Sequence, residues 1–391
     1  MDRYEVIVAG SGPAGSQAAR LCADHGMGVL LLERGRHPRP KCCAGGVLER
    51  SLNQLEGGIP SRLIEREVDS FTLVNGEERT TFDLKRRIAV SVRREELDAH
   101  LAREAERSGA ALLEDTSVVS AKQLPDRVEV ETDHGSFRGR FLVIAEGAKG
   151  HLANDLLGPR EKGAVAVGLA MKCEVESPTG SSLNIHLFND PPSRSSGRHG
   201  FRLSGAVFPL EGAMMASVVS NRSTKDQLFS ALDQMAADID KNFGIRIRRD
   251  TCAHPIPLAP RKKLCSNRVL AVGDAAGFVS PFSGEGLTYA FRSARLAFQT
   301  IDRAMEGNGG LIGYQGLCAS EIIFHMKAAR LLGPALQWIT GLTDMGKLMR
   351  TFRGEEELLD RIATAAAGED DWRPVLNKVI ARFPRLFFSS I

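Results

Sequence analysis

Apolar and polar residues alternate along this chain in blocks that predict a mixed α/β fold. Short, continuous apolar runs are typical of strands that are buried on both faces of a parallel sheet. Runs of this kind lie at residues 5–9, 29–32, 141–145 and 268–272. Apolar residues at helical spacing predict helices over 92–108 and 224–243, and a mostly helical region after residue 285. These elements predict a parallel sheet covered by helices.

A second part of the chain has the two-residue period of half-buried strands. Residues 163–220 alternate in this way, and the stretch from about 111 to 145 is also β-rich, with a turn at 133–136. We therefore predict the fold class α/β with an α+β second lobe, in which a separate β-sheet domain lies beside the parallel sheet.

A glycine-rich turn joins the first apolar run to the first predicted helix. Its six residues are Gly10, Ser11, Gly12, Pro13, Ala14 and Gly15. This GxGxxG spacing is typical of a Rossmann-like dinucleotide site, because its glycines allow a tight turn, a close approach of the pyrophosphate and close helix–strand packing. The second apolar run ends in Glu33, which is placed to accept hydrogen bonds from a ribose. We predict that these residues and neighbouring Arg34 bind a dinucleotide.

A second motif follows the apolar run at 268–272. The cofactor-binding residues predicted here are Gly273, Asp274, Pro281, Gly284, Gly286 and Leu287. Together with the first turn, the motif resembles the Gly-Asp motif of the hydroxylase-type flavoprotein superfamily. That resemblance implies that Asp274 holds ribityl or ribose hydroxyls of FAD. It also implies that the helix starting near Gly286 directs its N–H groups at the flavin, where they would stabilise the negative charge of the reduced ring.

Length and composition bear on the number of lobes and argue against several other classes of protein. The 391 residues are more than one compact core usually holds, so two lobes are expected. A net charge of +3 gives no support for nucleic-acid binding, and no group of residues has metal-ligand spacing. No apolar stretch is long enough to span a membrane, and the first strand leaves no room for a signal peptide. Seven cysteines without the spacing of a secreted scaffold predict reduced thiols and a cytoplasmic protein.

We predict three structural units. They are a discontinuous FAD-binding domain (1–50, 85–160 and 265–310), a substrate-binding β-sheet domain (51–84 and 161–264) and a C-terminal helical region (311–391). Apolar helical faces in the last region, such as the one containing Leu331, predict either a core helix or a cover over a lipid tunnel that rests on a membrane surface.

More specifically, the chain resembles the geranylgeranyl reductase family of FAD-dependent oxidoreductases. Residues 40–46 are similar to the family's Pro-Lys-x-Cys-Gly/Ala segment beside the flavin, and residues 92–98 to its Arg-x-x-Phe/Leu-Asp helix start. Residues 255–258 and the run from 273 to 287 complete the resemblance, which spans residues 6 to about 300. It implies contacts to the cofactor from Lys41, Cys43, Ala44, Gly45 and Arg94.

Two segments depart from the family pattern. The superfamily's Ala-Asp-Gly segment is present with Glu146 in place of the aspartate, and we include Glu146 and Gly147 in the predicted cofactor site. The family's Tyr-x-Trp-x-Phe-Pro strand corresponds to residues 204–209, which keep Phe208 and Pro209 as predicted substrate contacts and lack both larger aromatics. We expect the loss of these aromatics to widen or reshape the pocket. Its lining is expected to be aliphatic and rich in phenylalanine, because the chain has only three tyrosines and two tryptophans.

The resemblance implies that the chain reduces carbon–carbon double bonds in an isoprenoid or similar lipid. Flavin N5 would deliver a hydride to one carbon, and a proton must reach the other. Cys43 is the candidate catalytic residue, with three roles left open: positioning substrate, donating a proton or controlling access to the flavin. A chain with one nucleotide fingerprint must take its electrons either from docked NAD(P)H or from a small redox protein.

Two other functions remain as alternatives. A flavin monooxygenase or halogenase would use the same fold, although the chain lacks the Trp-x-Trp-x-Ile-Pro motif of halogenases. A non-catalytic electron-transfer or lipid-binding flavoprotein is the third function considered.

For several other basic and sulfur-containing residues, the expected roles are mainly structural. The segment Arg261-Lys262-Lys263 is expected to be a solvated turn. Lys41 is expected to be either solvated or in contact with a substrate phosphate. Cys42 is expected to be structural, because neighbouring cysteines seldom pair with each other. His254 is expected to be an ordinary surface or core histidine.

Overall fold

The structure, a computed structural model, covers most of the first 339 residues and parts of the C-terminal region. It describes residues 3–55, 57–161, 163–188, 204–339, 357, 360–361, 364–365 and 372–381. Within this part of the chain, no helix is both long and apolar enough to cross a membrane.

The strands of the described residues form two large sheets and one small sheet. In chain order they are β1 (Arg3–Ala9), β2 (Val29–Leu32), β3 (Gly46–Leu48), β4 (Arg66–Val68), β5 (Ser70–Asn75), β6 (Glu78–Asp83), β7 (Ala89–Ser91), β8 (Ala111–Leu113), β9 (Val118–Gln123), β10 (Val128–Thr132), β11 (Gly135–Ile144), β12 (Val165–Val175), β13 (Ser182–Leu187), β14 (Ser204–Leu210), β15 (Ala213–Ser220), β16 (Ile245–Arg248), β17 (Cys252–Pro257) and β18 (Val269–Ala271).

The helices of the described residues pack on these sheets or lie in the described part of the C-terminal region. They are α1 (Pro13–Asp24), α2 (Glu49–Leu52), α3 (Arg94–Arg107), α4 (Leu152–Leu157), α5 (Lys225–Phe243), α6 (Gly273–Ala276), α7 (Leu287–Met305), α8 (Gly313–Cys318), α9 (Phe324–Ile339) and α10 (Trp372–Ala381). A 3₁₀ turn at Ser61–Leu63 and a π-helical segment at Ala319–Ile323 complete the described elements.

The first sheet is the predicted parallel sheet. Its strands lie in the order β8-β2-β1-β11, with β18 also parallel to β11, and the antiparallel pair β10-β9 extends it. Strands β1, β2 and β18 and the last four residues of β11 are largely buried, because helix α1 packs against the sheet and α7 packs on α1, whereas the edge strand β8 is mostly exposed. The chain leaves β1 toward β2 and returns later to β11 on the other side. This reversal opens a crevice at the carboxyl ends of the two strands, where α/β proteins bind nucleotides.

The second sheet is antiparallel apart from one parallel pair. Its order is β16-β12-β15-β14-β13-β5-β6, with β17 beside β12 and β13 parallel to β5. Helix α5 covers one face, and a capping box between Thr224 and Gln227 defines its start. The buried side chains between sheet and helix form a separate hydrophobic core. The other face is therefore free to line a binding site.

The predicted fold class is confirmed, since a Rossmann-like α/β part lies beside an antiparallel sheet. A small sheet of β3, β7 and β4 lies between them and carries the loop that contains Cys43 toward the second sheet. The exact domain boundaries stay a prediction. The role of residues 311–391 also stays a prediction, because 340–356 and 382–391 lie outside the described residues.

Candidate active site

The first glycine turn leaves open space at the N-terminus of α1. Gly10 has a φ of +103°, and a Cβ at this position would lie 2.5 Å from the carbonyl oxygen of Ala145. Gly12 is the N-cap of α1 and provides no side-chain cap. The nearest atom to a Cβ built on Gly12 is Nη2 of Arg39, at 3.8 Å. The positive end of α1 therefore faces a space in which a phosphate group fits.

Glu33 lies beside this turn as a buried carboxylate, 4% exposed. Ser11 donates to it from its backbone nitrogen at 3.0 Å and from its hydroxyl at 2.8 Å, and Arg39 Nε lies 3.2 Å from it. Burial acts to raise the pKa of Glu33, but Arg39 and the hydrogen bonds outweigh burial and lower the pKa below its usual value. Glu33 is therefore ionised at neutral pH and suited to accept hydrogen bonds from ribose hydroxyls.

The second motif places Asp274 beside the N-terminus of α7. Oδ1 of Asp274 lies 3.4 Å from the position that a Cβ on Gly286 would occupy. Gly286 is the N-cap of α7 and, like Gly12, provides no side-chain cap. Gly12, Asp274 and Gly286 line the same cavity. Folding thus brings two uncapped helix N-termini, from distant parts of the sequence, to one binding space.

Glu285 anchors the segment that precedes α7, although the sequence prediction did not include it. Its carboxylate pairs with Arg50 and accepts hydrogen bonds from the hydroxyls of Ser51 and Thr288. The side chains of Arg50 and Glu285 are each 9% exposed. Because a buried ion pair is costly to break, this network holds the loop that places Gly286. The sequence signal for this role was the position of the carboxylate between Gly284 and Gly286, two glycines of the second motif.

Arg261 does not belong to a solvated turn, so the prediction is wrong for this residue, which is 4% exposed. Its Nε donates to the carbonyl oxygen of Ala275 at 2.7 Å, and Arg160 donates to the same oxygen at 3.2 Å. The carbonyl oxygen of Ala275, near the end of the short helix α6, thus receives its hydrogen bonds from two guanidinium groups rather than from a following helical turn. Lys262 and Lys263 are exposed.

Cys43 lies against the guanidinium of Arg94. Nη1 of Arg94 is 3.2 Å from Sγ of Cys43, while its Nε and Nη2 donate to Oδ1 of Asp98 at 3.0 and 2.9 Å. Asp98 is fully buried, and Arg39 lies 3.7 Å from its other oxygen. The sequence analysis named Cys43 and Arg94 and missed Asp98 and Arg39. The spacing of Arg94 and Asp98, one helical turn apart, was the signal for their pairing.

Lys41 is half-buried beside His254, so the expectation of a solvated lysine is wrong. Nζ of Lys41 lies 3.0 Å from Nε2 of His254, which is on β17. Burial, with Arg94 acting in the same direction, lowers the pKa of Lys41. Burial and then Lys41 lower the pKa of His254 to about 4. His254 is therefore neutral at pH 7, and Lys41 donates the hydrogen bond between them.

Cys42 and Cys252 form a disulfide, so the prediction of reduced thiols is wrong for these two residues. Their Cα atoms are 5.7 Å apart, within the usual range for a disulfide. The free cysteines are Cys22, Cys43, Cys173, Cys265 and Cys318. The sequence analysis considered Cys42 only against its neighbour, whereas its partner lies 210 residues away.

Glu146 caps a helix at the edge of the site. Its Oε2 accepts a hydrogen bond from the backbone nitrogen of Leu152 at 3.0 Å, at the start of α4. Burial raises the pKa of Glu146. The longer side chain, in the position of the family's aspartate, thus has a structural contact besides its place in the cavity wall.

One cavity of about 1200 Å³ joins both motifs to the second sheet. It is larger than the ~300–1,000 Å³ typical of a site for one small ligand. The wall that the second sheet and its neighbouring loops supply is apolar, and it includes Phe71, Leu73, Leu84, Ile88, Leu183, Ile185, Leu187 and Phe208. The cavity therefore has room for an apolar molecule beside a nucleotide.

Most of the predicted site residues lie in the wall of this cavity. Those that do are Gly10, Gly12, Pro13, Ala14, Glu33, Arg34, Lys41, Cys43, Ala44, Arg94, Glu146, Gly147, Phe208, Asp274, Gly284, Gly286 and Leu287. Among the described residues, the predicted ones outside the wall are Gly15, Gly45, Pro209, Gly273 and Pro281. Gly15 still shapes the site, because a Cβ there would overlap the carbonyl oxygen of Gly10.

The fold and the site define a Rossmann-like flavoprotein. The profile of the family described as FAD binding domain matches residues 3–311, and the chain belongs to this family. FAD is its cofactor, and the residues present fit it. The side chain of Asp274, the ionised carboxylate of Glu33 and two uncapped helix N-termini all line one cavity. The chain is an FAD-dependent oxidoreductase, and the predicted cofactor is confirmed.

Named relatives confirm the resemblance to geranylgeranyl reductases. Digeranylgeranylglycerophospholipid reductase 2 of Methanosphaera stadtmanae is 26% identical over 391 residues, covering 95% of this chain and 93% of the relative. Chloroplastic geranylgeranyl diphosphate reductase of Oryza sativa subsp. japonica is 28% identical over 320 residues, covering 76% of this chain and 66% of the relative. The crystal structure of a geranylgeranyl bacteriochlorophyll reductase-like protein from Thermoplasma acidophilum shares the fold, with a TM-score of 0.78 at 18% identity and coverage of 99% and 98%.

Proposed function

We propose that this chain reduces carbon–carbon double bonds in an isoprenoid chain. The observation that supports it most is the continuity of one cavity, in which the apolar wall of the second sheet adjoins Cys43 and the cofactor-binding residues. The names of two relatives specify geranylgeranyl-containing substrates, which agrees with an apolar wall.

In this proposal, different groups of residues in the site have different roles. The N-termini of α1 and α7 and the carboxylates of Glu33 and Asp274 hold FAD, which supplies the hydride when it is bound and reduced. The apolar wall orients the isoprenoid chain and excludes water. Arg94 holds Cys43 at the junction between the two regions, where it would position the reacting bond or supply a proton.

Small residues widen the substrate side of the cavity. Ser204 and Ala206 occupy the positions of the tyrosine and tryptophan in the family's aromatic strand, and both line the cavity with Phe208. We infer that the substrate is bulky at this point. Ala206→Trp should then raise KM for such a substrate and leave FAD binding unchanged.

An anaerobic turnover experiment tests the proposal. The FAD-loaded protein, reduced with dithionite, is mixed with geranylgeranyl diphosphate or with a digeranylgeranylglycerophospholipid, and the products are analysed by mass spectrometry. Gain of two hydrogens per reduced bond, with reoxidation of the flavin, supports the proposal. Rapid reaction of the reduced flavin with oxygen that hydroxylates or halogenates an added aromatic substrate would instead indicate the monooxygenase or halogenase function. Lipid binding without turnover with any donor would indicate a binding protein.

The electron donor and membrane contact need their own measurements. We infer that NAD(P)H or a small redox protein reduces the flavin, and stopped-flow absorbance with each donor separates the two. We also infer that the helical region after residue 311 contacts a membrane surface, because Ile312, Phe324 and Leu331 are exposed apolar residues there. Flotation with phospholipid vesicles tests that contact, and a protein that stays at the bottom of the gradient would exclude it.

A further inference from the structure

The Cys42–Cys252 disulfide joins the flavin side of the cavity to its substrate side. Cys42 lies in the loop between β2 and β3, and Cys252 begins β17, which pairs with β12 in the second sheet. Both cysteines line the cavity. The disulfide is therefore a covalent connection between two parts of the site that otherwise meet through side-chain contacts.

The environment of this bond differs from that of the other cysteines. Cys22, Cys173, Cys265 and Cys318 are buried, whereas Cys252 is exposed and Cys42 is half-buried. Exposed disulfides are open to attack by a thiolate and are the more labile ones, in contrast to buried structural disulfides. We propose that Cys42–Cys252 is a thiol–disulfide exchange site, opened by a dithiol reductant, that controls the mobility of the loop carrying Cys43.

Three contacts show what the bond controls. Lys41, just before Cys42, donates to His254 at 3.0 Å, and Cys43, just after it, contacts Arg94 at 3.2 Å. Where the loop ends, Gly46, the first residue of β3, packs against the ring of Phe208 on β14. With the bond closed, the loop is held against the second sheet both covalently and by these contacts. With the bond open, only the non-covalent contacts remain, so local opening of the loop costs less free energy.

The exchange balances as an ordinary two-electron transfer. A thiolate of the dithiol attacks Sγ of Cys252 and forms a mixed disulfide, while the sulfur of Cys42 leaves as a thiolate and takes up a proton. The second thiol of the reductant then attacks the mixed disulfide, which releases Cys252 as a thiol and leaves the reductant as a disulfide. The two sulfurs of the protein are reduced and the two sulfurs of the dithiol are oxidised.

The test measures the bond and the loop in the full-length protein without any substrate. Aerobically purified protein is mapped by mass spectrometry for the Cys42–Cys252 cross-link, then reduced with dithiothreitol, desalted anaerobically and exposed to iodoacetamide. We expect the cross-link before reduction and its loss under native conditions afterwards. We also expect Cys43 to be alkylated about tenfold faster in the reduced protein, because the loop opens more often. Hydrogen exchange at residues 40–46 and in β17 should increase in parallel.

Cysteine variants provide the controls. The double variant Cys42→Ser/Cys252→Ser should alkylate at Cys43 at the fast rate with or without reductant, and Cys173→Ser should behave like the parent protein. A parent protein with both thiols free, a bond that dithiothreitol leaves intact in the folded protein, or an unchanged Cys43 rate after proven reduction would each overturn the proposal. These readouts do not involve double-bond reduction, so failure of the proposed enzymatic function would leave their meaning unchanged.

Discussion

Arg94 holds Cys43 through a hydrogen bond from Nη1 to Sγ of 3.2 Å, and Asp98 holds Arg94 in turn through two of its other nitrogens. The cysteine is therefore fixed by a charge pair whose side chains are 8% and 1% exposed. This arrangement makes the position of the thiol depend on the carboxylate of Asp98, which orients the guanidinium of Arg94.

Cys43→Ser should retain FAD and lose most double-bond reduction. If the thiol supplies the proton, the loss should lie in the range of ~10²–10⁴-fold in kcat that is typical of a missing general acid. Steady-state assays on the FAD-loaded variant, with Cys173→Ser as the matched control from the core of the second sheet, measure the effect. Unchanged turnover would reduce Cys43 to a residue of the loop without catalytic function.

Glu33→Ala and Asp274→Ala should each weaken FAD binding. Loss of charge-assisted hydrogen bonds costs ~1.5–3 kcal/mol, which corresponds to a rise in Kd of about 10- to 150-fold. Titration of the apoprotein with FAD, followed by flavin fluorescence, gives the Kd. Glu131→Ala, an exposed residue on β10, is the control. Full affinity in both site variants would contradict the assignment of these two carboxylates to the cofactor.

Asp98→Ala should destabilise the protein far more than Asp24→Ala. Both residues form an ion pair with an arginine one helical turn earlier, but the Arg20–Asp24 side chains are 21% and 38% exposed. Breaking a buried pair costs ~3–5 kcal/mol, because the remaining charges stay buried without a partner, whereas an exposed pair contributes ~0–1 kcal/mol. Urea unfolding of the two variants measures both values. Equal destabilisation would show that Asp98 is not essential to the buried network.

His254→Gln should make the folded protein less sensitive to acid. The pKa of His254 in the folded state is about 4, below its usual 6.5. Between these values the unfolded chain binds the proton and the folded chain does not, so the free energy of unfolding falls as the pH falls from 6.5 toward 4. We expect the variant to lose about 1 kcal/mol less over this range, a value discounted for the partial exposure of the ring.

Urea unfolding at several pH values checks this prediction. His134→Gln, in an exposed turn, is the matched control and should keep the parent slope. His186, whose pKa burial also lowers to about 4, remains in both variants and contributes equally to them. A slope unchanged by His254→Gln would show that this ring is not kept neutral by its surroundings.

Gly46→Ala should displace the end of the loop that carries Cys43. A Cβ at this position would overlap the ring of Phe208, and overpacking of this kind costs ~1–3 kcal/mol. Gly310→Ala, with no atom within 4 Å of the added Cβ, is the control. In the double variant Gly46→Ala/Phe208→Leu the smaller side chain removes the overlap, so we expect a positive coupling in a double-mutant cycle on the free energy of unfolding. Additive effects would show that the loop avoids the ring by moving.

Most of the residues that local sequence predicted for the nucleotide half of the site line the cavity. The turn from Gly10 to Gly15, the carboxylate of Glu33 and the Gly-Asp motif at 273–274 each depend on a strand end followed by a helix start, so a short window carries the signal. The fold class followed from the same windows, because continuous apolar runs and two-residue alternation separate the two kinds of sheet. The resemblance to geranylgeranyl reductases then supplied the cofactor and the expected reaction.

Contacts between segments that are distant in sequence could not be predicted from such short stretches of sequence. The predictions of a solvated Arg261 and of reduced Cys42 and Cys252 were wrong, because each concerns a side chain whose partner is remote in sequence. The pairing of Lys41 with His254 was missed for the same reason.

The sequence by itself therefore determined that the chain binds a dinucleotide and has two kinds of sheet, since these depend on period, glycine geometry and a nearby carboxylate. Only the tertiary structure decided how the loop around Cys43 is held. Arg94, Asp98, His254 and Cys252 reach that loop from other elements, and whether a polar group or a thiol is paired depends on which groups the packed elements bring within reach.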